Sequence, residues 1–94
     1  MRLPSAQLDR LADYNSAAAA NPNNNNAYYN RGITHRRQKN YDRAIADFNE
    51  ALRLNPRDAE ALFWRGRSKI DLGSNAAGEA DIAVARQINP DIGK

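Results

Sequence analysis

The sequence predicts an all-α fold, a short stack of helix pairs, on three observations. The dipeptide Asn-Pro stands at 21–22, 55–56 and 89–90, so the chain repeats at 34 residues. Between these marks the apolar residues recur at spacings of three and four, which gives one-sided helices. Nothing in the chain reads as a strand.

Other residues keep the same step. Arg31-Gly32 returns as Arg65-Gly66. Asp13, Asp47 and Asp81 are in register, as are Ala17, Ala51 and Ala85. Tyr14, Phe48 and Ile82 share one apolar position, and Leu54 and Ile88 another. Chance does not align this many residues at one offset. Each period holds two helices, here A and B.

The elements follow in order. Residues 5–20 align with helix B, because "LADYNSAAAANP" matches "IADFNEALRLNP" at Ala12, Asp13, Asn15, Ala17, Asn21 and Pro22. The stretch "AAAANPNNNNAYYN" therefore is not a linker. It is the end of a helix, a turn, and the start of the next helix, with Asn24 or Asn25 suited to cap the free N–H groups. Helix A of the first full repeat is expected at about 25–39. Helix B is expected at about 42–55, with Ala44, Ile45, Phe48, Ala51 and Leu52 on one face and Tyr41 and Leu54 at its ends. Asn-Pro ends it, since proline disfavours helical geometry in the residue before it. The second repeat has A at about 59–72, closed by Gly73, and B at about 75–88. The order is B-A-B-A-B, five helices. The expectation is a single domain over 1–94: a half repeat at 5–22, a full repeat at 25–58, and a second at 59–92.

Composition narrows the classes. Ninety-four residues make one small domain with a thin core, built from Ala, Leu, Ile and only seven aromatic rings. There is no cysteine, hence no disulfide framework and no thiolate chemistry. No apolar run approaches the roughly 20 residues of a membrane span, and "MRLPSAQLDRL" has no apolar signal core. The default expectation is a cytoplasmic protein with no membrane partner. The net charge of +3 is spread along the chain; it favours acidic partners weakly and does not mark a nucleic-acid binder.

A 34-residue helix-turn-helix with these residues resembles the tetratricopeptide repeat family. In the first full repeat Tyr28, Gly32, Ala44, Phe48, Ala51 and Pro56 hold the expected types. In the second, Leu62, Gly66, Gly78, Ile82, Ala85 and Pro90 do. Small residues let A and B approach, and large ones fill the gap between them. The resemblance implies a right-handed solenoid of antiparallel helix pairs. It departs from the family pattern in both repeats: Arg31 and Arg65 stand where a leucine is usual, and His35 and Lys69 where a tyrosine is usual. Arginine on a packing face needs a partner, and the recurring aspartates supply one. The pairs expected are Arg31 with Asp47 and Arg65 with Asp81.

Catalytic constellations are missing from the sequence. The single histidine, His35, has no cysteine or second histidine near it and reads as a half-buried packing residue. The run "LGSNAAGEA" lacks the lysine and spacing of a phosphate loop. The basic cluster 35–39 sits at a helix C-terminus, where cations are favoured. The expectation is a protein that is not an enzyme and carries no cofactor and no metal.

The resemblance implies binding, on a concave wall formed by A helices. By register that wall shows Asn26, Tyr29, Asn30, Ile33 and Arg37, then Glu60, Phe63, Trp64, Arg67 and Asp71. Spacing agrees: Tyr29, Ile33 and Arg37 lie at i, i+4 and i+8, and Phe63 and Arg67 form the equivalent stripe. Trp, Tyr and Arg are enriched in binding hot spots. One subtype of the family clamps the terminal carboxylate of heat-shock chaperones. Asn30 meets that pattern, but Tyr29, Ile33, Glu60 and Trp64 replace its other residues, and no such clamp is predicted. The leading expectation is a module that binds a peptide or partner domain in this groove, as part of a larger protein or assembly. A second is a self-assembling structural module, dimerising through the N-terminal helix, where Leu8 and Leu11 have no helix A to cover them. A third is nucleic-acid binding through Arg31, Arg36, Arg37, Lys39, Arg65 and Arg67, which the small, dispersed charge disfavours. At the far end, Glu79 and Arg86 replace Ile45 and Leu52, so the last helix B is expected to present a polar capping face.

Overall fold

Four helices run through the residues that the computed structural model describes, Asn24 to Gly93. They are α1 (Asn25–Arg37), α2 (Tyr41–Leu54), α3 (Ala59–Asp71) and α4 (Asn75–Ile88), and no strand occurs among the described residues. They are the A, B, A and B helices of the two full repeats. The half repeat expected over 5–22, with its helix and its exposed leucines, lies outside the described residues.

The helix ends follow from their side chains. Asn24 caps α1 by accepting the Ala27 N–H at 3.1 Å, and Asp58 caps α3 by accepting the Ala61 N–H at 3.1 Å. Asn25 is the first helical residue instead. Its amide donates to the Ala51 carbonyl (2.7 Å) and to Asp58 (3.1 Å), tying the start of α1 to the junction of the repeats. The A helices end about two residues (α1) and one residue (α3) earlier than the periodicity suggests. In each, backbone N–H groups turn back onto the last carbonyls: Asn40 to His35 and Lys39 to Arg36, then Ser74 to Lys69 and Gly73 to Ile70. This closure requires a left-handed residue just beyond the helix. Gly73 takes it at φ +96, whereas Lys39 takes it at φ +63.

The two Asn-Pro marks among the described residues are turns. Asn55 and Asn89 are extended, as a residue before proline prefers, and each side-chain oxygen accepts an N–H two residues on, from Arg57 and Asp91, at 3.2 Å.

Packing is local. α1 packs on α2 and α3 on α4, α2 joins the pairs by packing on α3, and α1 touches α3. Contact between neighbours only is the signature of a solenoid. The core runs along the middle through Ala44, Phe48, Ala51, Leu52, Ala61, Leu62, Phe63, Ile82 and Ala85. Burying each of its large side chains stabilises the fold by about 2 kcal/mol. In the second pair a Cβ on Gly66 would sit 2.5 Å from the Gly78 carbonyl, so two glycines set that crossing. On α4, Glu79 and Arg86 are exposed.

Candidate functional site

The two A helices lie side by side, and their shared face carries the groove. Tyr29, Asn30, Ile33, Arg36 and Arg37 of α1 and Trp64 of α3 line a cleft of about 320 Å³. A second cleft of about 400 Å³ lies on the other side of Trp64, lined by Glu60, Phe63, Arg67, Ile92 and Gly93. Trp64 thus forms the partition between two openings.

Neighbours hold that indole in place. Phe63 packs edge-on to it with ring centroids 5.0 Å apart. The Arg36 guanidinium lies over it, 4.8 Å from the ring centroid, and donates to Asp71 Oδ2 at 3.1 Å. A cation fixed over an indole face adds attraction beyond packing. Tyr29 lies 6.0 Å from the Phe48 ring and is half-buried. Burial, reinforced by the negative charges of Glu60 and Asp58, pushes its hydroxyl pKa up to about 12, so it stays a neutral donor.

The residues expected on the wall separate into groups. Tyr29, Asn30, Ile33, Arg37 and Trp64 line one cleft together. Glu60 and Arg67 are exposed beside the other. Phe63 borders the second cleft but is only 7% exposed, because the Ile92–Gly93 turn folds against its ring. Asn26 is exposed and lines neither cleft. Asp71 is occupied by Arg36. Arg36 itself was missing from the expected wall, being grouped with the basic cluster at the helix end. Its spacing gives a signal, because it stands three residues after Ile33 and seven after Tyr29.

The unusual charged residues lie on the opposite face of α1 and α3, between A and B. Arg31 makes a two-pronged pair with Asp47, Nε to Oδ2 at 2.8 Å and Nη2 to Oδ1 at 2.7 Å. Arg65 repeats it on Asp81 at 2.8 Å for both prongs and also donates to Asn49 of α2 at 2.9 Å. The recurrence of the sequence predicts both pairs. Lys69 adds a second cation on Asp81 at 2.9 Å. Burial resists ionisation of Asp81, yet the hydrogen bonds and charges of Arg65 and Lys69 outweigh it and hold the carboxyl below its ordinary range. The counterpart of Lys69 is His35, whose Nε2 stands 3.7 Å from Asp47 Oδ2. Burial, with Arg31 and Arg43, lowers its pKa against the pull of Asp47. Its Nδ1 is buried without a hydrogen-bond partner. Among the described residues no cluster of His, Asp or Glu is placed to hold a metal ion, and no helix is long and apolar enough to cross a membrane.

Residues 26–58 match the model of the tetratricopeptide repeat. The chain therefore contains a tetratricopeptide repeat at those residues. Among solved structures, the fold is similar to the type III secretion translocator chaperone SycD of Yersinia enterocolitica. The TM-score is 0.86 at 13% identity, over 95% of this chain and 67% of that one. It is also similar to MamA MSR-1 C2, with a TM-score of 0.75 at 24% identity, over 89% of this chain and 53% of that one. At these identities the likeness is one of fold. No curated protein sequence matches the chain. The described part of the chain is therefore an all-α helical solenoid of the tetratricopeptide type.

Proposed function

We propose that this tetratricopeptide chain is a protein-interaction module that seats a peptide segment of its partner between α1 and α3. The observation that carries the reading is Trp64. A large aromatic ring stands half-exposed between two clefts, braced by Phe63 and Arg36 instead of covered by them. Rigid aromatic anchors with a cation alongside are the residue types in which binding energy concentrates. The SycD chain, named as a translocator chaperone, is by that name a protein that acts on another protein, which fits the reading.

The test is a library of random peptides about twelve residues long, reaching about 40 Å when extended, selected on the intact chain. Recovered peptides are then measured by calorimetry against the chain and against Trp64→Ala. The expected result is a set of binders that lose about tenfold or more in affinity on the substitution, with the helical circular dichroism retained. Trp64 is the only tryptophan, so quenching of its fluorescence by the same peptides gives a second readout. Binders whose affinity is indifferent to Trp64→Ala would place recognition on another face.

A further inference from the structure

Three arginines surround Trp64, and they are not equivalent. Arg36 is committed, its guanidinium lying over the indole and its Nη2 on Asp71. Arg37 and Arg67 are both exposed, and neither makes a hydrogen bond or an ion pair among the described residues. Arg37 borders the first cleft and Arg67 the second, so the two uncommitted cations flank the aromatic partition on either side.

Resting on the groove reading above, we infer that the partner segment is acidic. An apolar side chain enters the cleft between Tyr29, Ile33 and Trp64, and carboxylates flanking it reach Arg37 and Arg67. The cleft of about 320 Å³ lies at the small end of ligand pockets, which start at about 300 Å³. One aromatic or branched aliphatic side chain is therefore its natural occupant. The arginines suit carboxylates because the planar guanidinium presents paired donors to both oxygens. The negative end of the α1 dipole amounts to roughly half a charge and does not cancel Arg36, Arg37 and the exposed Lys39 gathered there. Glu60 stands seven residues before Arg67 on the same helix, roughly 10 Å away along its axis. Glu60 lies near the start of α3 and the two uncommitted arginines lie toward the helix ends, where Asp71 is already held by Arg36. A nucleic acid would also be drawn to arginine beside an aromatic ring. Its evenly spaced phosphates would meet Glu60 and the Asp71 carboxylate along the same wall, which favours a peptide.

The selection described above tests this on composition. Peptides that depend on Trp64 are expected to be enriched in Asp and Glu over the input library. Charge reversal in the double variant Arg37→Glu/Arg67→Glu is expected to weaken them about tenfold or more, and Arg37→Gln/Arg67→Gln by less. Both side chains are exposed, so the melting temperature should hold in each variant. Trp64-dependent peptides without acidic enrichment, or unmoved by charge reversal, overturn the acidic partner and leave the groove reading standing. A selection that yields no Trp64-dependent peptide overturns both. Oligothymidylate that binds the chain more tightly than the best peptide, and is lost on charge reversal, overturns the peptide in favour of a nucleic acid.

Discussion

The two full repeats share one packing plan and differ in what they do with it. In the first, Gly32 faces the Phe48 ring, with Ala44 in the small-residue slot opposite. In the second, the slot holds Gly78, and Gly66 and Gly78 bring two backbones into contact. In the first, Asp47 receives one permanent cation and a histidine; in the second, Asp81 receives two permanent cations. On the groove face nothing repeats: Tyr29, Asn30, Ile33 and Arg37 are answered by Phe63, Trp64, Arg67 and Asp71. The comparison shows where the solenoid constrains its sequence. In this chain the positions between A and B keep a close crossing and a charge pair in both repeats, whereas the wall residues differ between them.

The glycines should separate the repeats most. A Cβ at Gly66 would lie 2.5 Å from a backbone carbonyl, which cannot move without parting α3 from α4. A Cβ at Gly32 would lie 2.7 Å from the Phe48 ring, a side chain that can tilt. Gly66→Ala is expected to cost about 3 kcal/mol or more and Gly32→Ala about half of that, both read by urea unfolding. Equal costs would mean that the two crossings are built alike.

The ion pairs come next. Removing Asp81 leaves Arg65 and Lys69 facing each other without their shared anion, while removing Asp47 takes the carboxylate from one permanent cation. All these side chains keep some access to water, Arg31 at 24% and Arg65 at 21%, which tempers both losses. Asp81→Ala should cost about 2 kcal/mol and Asp47→Ala about 1 kcal/mol. A thermal melt in which Asp47→Ala is the more damaging would reverse the proposed order.

The fold was legible because its signal is periodic. A crossing glycine, an Asn-Pro dipeptide and an aspartate recur at 34 residues, so the two full repeats report the same pattern twice. The Arg–Asp pairs were legible for the same reason, although they depart from the family pattern. The wall was harder to read because it lacks a copy. Register put Phe63 on it, and the Ile92–Gly93 turn then folds over that ring, a contact no pattern within α3 encodes. Register also left out Arg36, whose role depends on Trp64 and Asp71 of the next repeat, 28 and 35 residues away. A side chain that acts across the repeat junction shows itself only once the helices are placed.

The smallest effect separates His35 from Lys69 by pH. His35 has its pKa lowered in the fold from an ordinary 6.5, with burial as the main cause. The groups facing it are Asp47, which favours its charge, and Arg31 and Arg43, which oppose it. As pH falls below 6.5 the unfolded chain therefore takes up a proton that the folded chain resists, and stability declines. It is fully present above that value and lost as pH falls through the folded pKa. Asp81 behaves likewise much lower, its lowered pKa giving stability that begins to be lost below its ordinary 3.8. Among the described residues the slope between about pH 5 and pH 7 thus belongs to the first repeat. His35→Lys copies the second repeat, and lysine stays charged in both states across this range. The variant should melt at a temperature independent of pH between 5 and 7, while the original chain loses stability toward pH 5. A slope that survives the substitution would assign it to another group.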